Sequence, residues 1–366
     1  MRKLVKILTS FGSALAVALA LGLMPAGDLN PLAPHQALAQ QGGNVPGNAL
    51  GNLSDAEMWR AVKGGLQGQV SIPNKQAGVL VQTGGDQLIA YRKGTFLTWS
   101  GWALAGIVVL LAVFFAVRGR IRIDAGPSGQ TIERFNELER FAHWLTASSF
   151  IVLALTGLNQ MYGKAIMMPV FGKEAWAAIM YYGKVSHNFL GFAFFAGVVL
   201  MLLLWLRHNI PNRHDIKWLA LAGGLFTKGV HPPAKKFNAG QKFIFWTVII
   251  GGGSVFFSGL MLMFPYQFSA FAGTFQILNS FGADLPTQLT PLQETQLALV
   301  WHGFVALVMI VIIIGHIYIG SIGMEGAFDA VSTGHVDVNW AREHHGLWVA
   351  EVTGEEPGHG HRAPAE

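Results

Sequence analysis

The sequence predicts an all-α integral membrane protein with five membrane-spanning helices. Hydrophobic residues make up 52% of the 366 residues and charged residues only 12%, and the mean hydropathy is +0.41. This composition is typical of membrane proteins rather than soluble ones. Five apolar segments are each compatible with the ~20 residues that a spanning helix needs. They lie at about 97–117, 141–160, 185–206, 243–264 and 297–323.

The first 39 residues have the features of a secretory signal peptide. A basic start precedes an apolar run over 7–24, and residues 37–39 offer an Ala-x-Ala cleavage site. An uncleaved anchor is the alternative, and either form exports the residues that follow. We therefore expect 40–96 to be a periplasmic segment, serving as a docking element or as a loosely ordered linker.

The distribution of basic residues predicts how the spans are oriented. The loops 118–140 and 207–242 hold five and seven Lys or Arg residues, whereas 161–184 and 265–296 hold three together. Loops rich in Lys and Arg remain in the cytoplasm, so the first two loops are expected inside. With an exported segment ahead of five spans, residues 324–366 become a cytoplasmic tail. We expect the protein in a bacterial inner membrane.

Four histidines within the apolar segments form the candidate site. His302 and His316 are separated by 14 positions, which puts both imidazoles on one helix face about 21 Å apart along the axis. The predicted topology places His143 level with His316, and His187 level with His302. Ionisable residues inside a membrane are costly and usually functional. Two depth-matched pairs predict bis-histidine ligation of two haem irons, a geometry suited to electron transfer.

Each of these features also has a purely structural explanation. A single histidine near a helix end is often an interfacial residue. Gly191 and Gly303, close to two of the histidines, leave room for a flat macrocycle, yet such glycines commonly serve close helix packing. Depth matching of four histidines favours the haem hypothesis over these alternatives.

A polar turn, Lys-Phe-Asn-Ala-Gly-Gln-Lys over 236–242, directly precedes the fourth span. Asn238 is a good N-cap residue, which would give the turn a structural role. Its amide, with the close backbone approach that Gly240 permits, equally fits a quinone or lipid headgroup. Spacing alone leaves both interpretations open.

The absence of cysteine limits the chemistry of the chain. Without cysteine the chain has no disulfide, no cysteine-ligated iron–sulfur cluster and no covalent haem attachment through C-x-x-C-H. If the chain moves electrons, it must use non-covalent haem and receive the electrons from a partner that carries its own centres. The positive residues are concentrated in loops, so we expect contact with membrane lipid and no nucleic-acid partner.

Several motifs between residues 134 and 350 point to a known family. They are R-F-x-H-W at 140–144, A-L-T-G at 154–157, R-H-N-I-P-x-x-x-D-I at 207–216, N-A-G-Q-K at 238–242, H-x13-H-I-Y at 302–318 and W-A-x-x-H-H at 340–345. Together they resemble the cytochrome b (gamma) subunit of respiratory formate dehydrogenase. Related subunits occur in hydrogenases and thiosulfate reductases, and the N-I-P and N-A-G-Q-K motifs favour the formate dehydrogenase branch.

The resemblance implies a four-helix dihaem core over 118–323, preceded by one extra transmembrane helix. His187 and His302 would ligate the periplasmic-side b haem, and His143 and His316 the cytoplasmic-side one. The residues implied beside a menaquinone or ubiquinone are Asn238, Gly240 and Gln241. An iron–sulfur (beta) subunit and a molybdenum or tungsten catalytic (alpha) subunit would be separate chains.

The predicted function is electron transfer from a periplasmic iron–sulfur subunit, through two b haems, to quinone near the cytoplasmic side. No substrate is oxidised on this chain itself. One alternative is the cytochrome b subunit of a hydrogenase or thiosulfate reductase. A different class of protein, a haem-free membrane anchor or a transporter, would use the histidines as a proton relay.

Overall fold

The computed structural model of the chain describes residues 84–265 and 267–354, so the predicted signal peptide and most of the predicted periplasmic segment lie outside the described residues. The described residues fall into two units. One unit ends at Ala90, and its described part holds helix α1 (Gly85–Ala90). The other includes all described residues from Tyr91 onward.

The second unit is almost entirely helical. Its helices are α2 (Leu97–Arg118), α3 (Glu137–Trp205), α4 (Arg213–Ala220), α5 (Ala239–Trp246), α6 (Gly252–Met263), α7 (Phe271–Asn279), α8 (Pro291–Tyr318), α9 (Asp329–Ser332) and α10 (Val338–Thr353). Its strands are β1 (Thr131–Glu133) and β2 (His335–Asp337). Its π-helical segments are Tyr91–Phe96, Thr247–Gly251 and Ile319–Gly323.

Four helices in the described part of the chain are long and apolar enough to cross a membrane. They are Gln87–Arg118, Glu137–His208, Ala239–Met263 and Pro291–Gly323. This architecture confirms the predicted all-α membrane fold. Helix is found over all five apolar segments of the sequence, and the predicted extra span, 97–117, corresponds to α2.

Helix α3 contains both the second and the third predicted spans and folds back on itself. Gly172 has φ 80° and ψ 169°, which interrupts the helix. The indole Nε1 of Trp205 donates a 2.7 Å hydrogen bond to Glu139 Oε1, although the two are 66 residues apart. A straight helix would separate them by about 100 Å. Helix α3 is therefore a hairpin whose two arms run antiparallel. The second and third predicted spans are these two arms, so the five predicted spans lie in four continuous helices.

The segment 161–184, predicted as a loop, is helical except at Gly172. Its two arms pack closely, since a Cβ on Gly163 would lie 2.9 Å from Trp176 Nε1. Each arm is about 50 Å long, which exceeds the ~30 Å hydrocarbon core of a bilayer. The hydropathy pattern identifies only the part of each arm that is apolar enough to lie in lipid. Packing between the arms keeps the rest of each arm helical, which the hydropathy pattern does not predict.

The predicted tail is folded from residue 324 as far as 354. Strand β2 pairs antiparallel with β1, with Val336 opposite Ile132. Helix α10 buries Trp340 and Trp348 in the same apolar cluster as Phe135, at the start of α3. These contacts form a cap over one end of the helix bundle.

Gly172→Ala should lower the free energy of unfolding by about 1–3 kcal/mol, because this combination of φ and ψ is available almost only to glycine. No atom lies within 4 Å of the added Cβ, so the cost is conformational rather than steric. Thermal unfolding of the purified protein in detergent, followed by circular dichroism, measures the effect.

The matched control is Gly106→Ala in the middle of α2, where an added Cβ also has no atom within 4 Å. Alanine favours a helix interior over glycine, so this variant should be neutral or slightly stabilised. Equal unfolding temperatures for the two variants would contradict a glycine-dependent turn at residue 172.

Candidate functional site

The four membrane histidines lie in two facing pairs. The ring centres of His143 on α3 and His316 on α8 are 6.4 Å apart, with 62° between the ring planes. Those of His187 on α3 and His302 on α8 are 6.2 Å apart, at 60°. The structure thus brings together the partners that the sequence predicts. Along α8 the two pairs are separated by about 21 Å.

The spacing within each pair fits a metal ion held between two imidazoles. Two opposed bonds of about 2.0–2.1 Å put the ligating nitrogens about 4 Å apart and the ring centres about 6.3 Å apart. The observed separations of 6.2 and 6.4 Å agree with this geometry. The residues present therefore fit the iron of a bis-histidine haem.

Two hydroxyl groups orient the imidazoles of the His187–His302 pair. Thr156 Oγ1 lies 2.8 Å from His187 Nδ1 and donates its hydrogen to a backbone carbonyl one turn earlier. Ser258 Oγ lies 3.1 Å from His302 Nδ1 and donates in the same way. A hydroxyl has one hydrogen, so each must accept from Nδ1–H, which leaves the Nε2 lone pair free. This tautomer binds a metal through Nε2.

The His143–His316 pair has a less polar environment. His143 Nδ1 is buried and has no hydrogen-bond partner within the described part of the chain. Its ring packs edge-on against Trp144, whose indole donates to the carbonyl of Val331. Packing rather than a hydroxyl therefore fixes the His143 ring, and the two pairs differ in electrostatic surroundings.

The two glycines singled out in the sequence have different surroundings. An added Cβ at Gly191 would meet no atom within 4 Å, so space remains open there, one turn after His187. At Gly303 a Cβ would lie 3.3 Å from the ring of Phe96. The room beside Gly303 is thus occupied by Phe96, and the predicted allowance for a macrocycle is retained only at Gly191.

Two further glycines lie directly against the histidine rings. A Cβ on Gly157 would stand 3.6 Å from His187 Cε1, and one on Gly259 would stand 3.2 Å from His302 Cε1. Each glycine follows the hydroxyl residue that orients the same ring, as Thr-Gly at 156–157 and Ser-Gly at 258–259. This repeated hydroxyl–glycine dipeptide on two helices is a signal that sequence reasoning missed.

The predicted quinone residues form the first turn of α5. Asn238 Oδ1 accepts from the backbone N–H of Gln241 at 2.9 Å, and Gln241 Oε1 accepts from that of Asn238 at 3.1 Å. This capping box gives the motif a local structural role. Gly240 lies beneath Trp218, where a Cβ would be 2.8 Å from the ring. The Asn238 side-chain NH₂ donates no hydrogen bond among the described residues, so it remains available.

A buried arginine adjoins this turn and was not predicted as part of the site. Arg134 Nη2 donates to the carbonyl of Lys236 at 2.7 Å and to Gln241 Oε1 at 3.4 Å, whereas Nη1 is buried without a partner among the described residues. Burial lowers the Arg134 pKa to about 9, opposed by the charge of Glu139, so the guanidinium stays protonated at neutral pH. Its charge lies 5.2–5.4 Å from three ring centres, those of Phe135, Trp340 and Trp348.

The motif at 207–216 is fixed to α5 by an ion pair. Lys242 Nζ lies 2.8 Å from Asp215 Oδ2 and also donates to the carbonyl of Ile210 at 3.1 Å. Asn209 is fully buried, and its side chain donates to the carbonyl of Trp205. The polar residues of this motif therefore hold the loop in place beneath the capped turn.

Comparison with known proteins gives consistent relatives. The formate dehydrogenase cytochrome b556(fdo) subunit of Escherichia coli strain K12 is 31% identical over 223 residues, which are 61% of this chain and 93% of the relative. The nitrate-inducible formate dehydrogenase cytochrome b556(Fdn) subunit of the same strain is 26% identical over 224 residues, which are 60% of this chain and 91% of the relative. The formate dehydrogenase cytochrome b556 subunit of Haemophilus influenzae is 26% identical over 215 residues, which are 58% of this chain and 79% of the relative.

A family match covers more than half of the chain. Residues 134–331 match the family described as prokaryotic cytochrome b561. The matched range includes both histidine pairs and the capped turn of α5. The chain belongs to the prokaryotic cytochrome b561 family, among the cytochrome b subunits of formate dehydrogenase.

Proposed function

We propose that this chain is the membrane subunit through which a formate dehydrogenase complex delivers electrons to quinone, and that it holds two b haems. One observation carries the proposal: two facing imidazole pairs, each spaced for a metal ion, stand about 21 Å apart along α8. Membership of a cytochrome b family supports haem as the bound group.

In this proposal His187 and His302 hold one haem iron, and His143 and His316 hold the other. Two imidazole ligands make haem a low-spin, one-electron carrier without an open position for oxygen. Thr156 and Ser258 keep a proton on Nδ1 of their histidines, which restricts ring rotation and leaves Nε2 as the nitrogen that would bind iron. Gly157 and Gly259 have no Cβ, which leaves room beside the rings of His187 and His302.

The quinone would bind at the capped turn of α5, beside Asn238, Gly240 and Gln241. Carbonyl oxygens of a quinone accept hydrogen bonds. Among the described residues, two donors in this region have no hydrogen-bond acceptor, the Asn238 NH₂ and Arg134 Nη1. Gln241 Oε1 is engaged by the cap, so its contribution would be to hold the turn. Menaquinone and ubiquinone offer the same carbonyl chemistry.

The orientation proposed from basic loops has structural support. Three predicted cytoplasmic segments contact one another: β1 pairs with β2, Arg134 donates to the carbonyl of Lys236, and His345 Nδ1 lies 2.8 Å from the carbonyl of Lys235. Segments in contact must lie on one side of the membrane. The His143–His316 pair would then lie toward the cytoplasm of a bacterial inner membrane, with residues 40–96 in the periplasm.

The lack of cysteine supports partner subunits that carry the other redox centres. An iron–sulfur (beta) subunit would supply electrons at the periplasmic side, next to the His187–His302 pair. A molybdenum or tungsten catalytic (alpha) subunit would oxidise formate. The relatives are named as subunits of formate dehydrogenase, in agreement with such an assembly.

Replacing one histidine in each pair tests the two-haem assignment. His302→Ala should remove only the haem of its pair and His316→Ala only the other, so each variant should keep one b-type absorption signal and half of the haem. Reduced-minus-oxidised spectra and haem-to-protein ratios give the result. The exposed His335 supplies the control variant, His335→Ala, which should keep both haems. Two haems in either membrane variant would refute the assignment.

Asn238→Ser separates a quinone contact from helix capping. Serine caps a helix as well as asparagine but lacks the NH₂ donor. Losing one neutral hydrogen bond should weaken binding of a quinone-analogue inhibitor by about three- to tenfold, with both haem spectra unchanged. Asn238→Ala is less informative, because it also removes the cap at a cost of about 1 kcal/mol.

The control for this prediction is Asn212→Ser, since Asn212 caps α4 through the same type of capping box. That variant should bind the inhibitor like the unmodified protein. Unchanged inhibitor affinity in Asn238→Ser, with normal haem spectra, would remove Asn238 from the quinone site.

A further inference from the structure

A basic pocket lies at the end of α2, and its lining includes none of the four membrane histidines. Its volume is about 270 Å³, and it is bounded by the residues that follow α2, the loop 223–231, Met324 and His344. Four of its lining residues are cations: Arg118, Arg120, Arg122 and Lys228. Asp124 is the one acidic residue in that lining. The pocket therefore has a clear excess of positive charge.

Backbone hydrogen bonds hold the walls of the pocket together. Ile121 donates to the carbonyl of Gly323 at 2.8 Å, and Glu325 donates to the carbonyl of Ile121 at the same distance. The side chain of Arg118 donates through Nε to the carbonyl of Leu225 at 2.8 Å. Three separate stretches of chain are thus joined around one concave surface, which makes the pocket preformed.

The single carboxylate is already engaged with the pocket wall. Asp124 Oδ2 accepts from the backbone N–H of Gly229 at 3.1 Å and lies 3.0 Å from His231 Nε2. None of the ion pairs found among the described residues involves the four lining cations. Their charge is therefore left for a partner that is not part of the described chain.

A half-buried histidine with an unpaired ring nitrogen also lies in the pocket wall. His344 lines the pocket, and its Nε2 is buried with no hydrogen-bond partner among the described residues. Burial, followed by the charges of His231 and Arg134, lowers the His344 pKa to about 4, while Asp124 opposes this. His344 is therefore neutral at neutral pH and can donate one N–H to an anion.

We propose that this pocket binds a phosphate anion, in the form of the headgroup of an anionic phospholipid. Arginine and lysine side chains recognise phosphate oxygens through charge-assisted hydrogen bonds, and His344 in the pocket wall would add a neutral donor. The residues Arg118 to Asp124 and His344 lie outside the range 134–331 that matches the family, so family membership does not assign this site.

The surroundings favour a lipid over a free phosphate. The pocket opens where α2, a helix long and apolar enough to cross the membrane, reaches its basic end. Val117 is 84% exposed and Phe226 is 72% exposed next to it, and Phe226 packs edge-on against Phe114 of α2. An exposed apolar strip beside a cationic pocket fits acyl chains attached to a phosphate headgroup.

Native mass spectrometry of the purified full-length chain, titrated with phosphatidylglycerol or with zwitterionic phosphatidylcholine, tests the proposal. Phosphatidylglycerol should bind more tightly, and the double variant Arg120→Gln/Arg122→Gln should lose about ten- to thirtyfold in affinity for it. The control variant, Arg213→Gln/Lys217→Gln, removes the same charge from α4, outside the pocket. It should bind phosphatidylglycerol like the unmodified chain.

The role of His344 is tested by a pair of variants. His344→Gln retains an N–H donor and should stay near the unmodified affinity, whereas His344→Leu should lose about three- to tenfold. Normal haem spectra in all variants show that they are folded, and these spectra make the test independent of the quinone proposal.

A parallel titration with inorganic phosphate distinguishes the source of the anion. Binding of inorganic phosphate with the same arginine dependence, and no preference for phosphatidylglycerol, would keep the phosphate site but overturn the lipid assignment. Equal phosphatidylglycerol affinity of the pocket variant and the α4 control variant would overturn the proposal as a whole.

Discussion

The cost of leaving a polar group unpaired at membrane depth is the constraint that shapes this protein. Lipid offers no hydrogen bonds, so each unpaired ring nitrogen of a buried imidazole costs free energy. In the His187–His302 pair, Thr156 and Ser258 supply the partner for Nδ1, and each hydroxyl also donates to its own helix. What remains is an Nε2 lone pair on each ring, and the two ring centres are 6.2 Å apart. Such a lone pair can bind a metal ion, in agreement with the haem of a cytochrome b family.

Contacts at the helix ends fix the relative positions of the helices that carry the histidines. Glu139 at the start of α3 accepts from Trp205 at the end of the same helix, which fixes the spacing of the hairpin arms. Lys236 donates to the same carboxylate at 2.6 Å and ties in the turn before α5. One polar network thus holds together the α3 hairpin and the capped turn of α5, at the end of the bundle that carries the His143–His316 pair. The folded residues 324–354 pack at the same end.

Much of the fold and of the histidine pairing could be predicted from local sequence patterns. The separation of His302 and His316, with charge-based topology, indicated which histidines would meet, and apolar runs indicated where helices lie. The hairpin continuing through 161–184 was missed because packing between its arms, not hydropathy, keeps it helical. The β1–β2 pairing was missed because three-residue strands over 200 residues apart in sequence leave no periodic signal. The Thr156–His187 bond joins the two arms of α3 and the Ser258–His302 bond joins α6 to α8, so only the three-dimensional arrangement identifies them.

Haem content and iron spin state test most directly whether one chain holds two bis-histidine haems. Protohaem extracted from the purified full-length protein should amount to two per chain. Electron paramagnetic resonance of the oxidised protein should show two low-spin ferric signals, with the two pairs distinguishable because only one has hydroxyls at Nδ1. One haem per chain, or a high-spin signal accounting for half of the iron, would contradict the account.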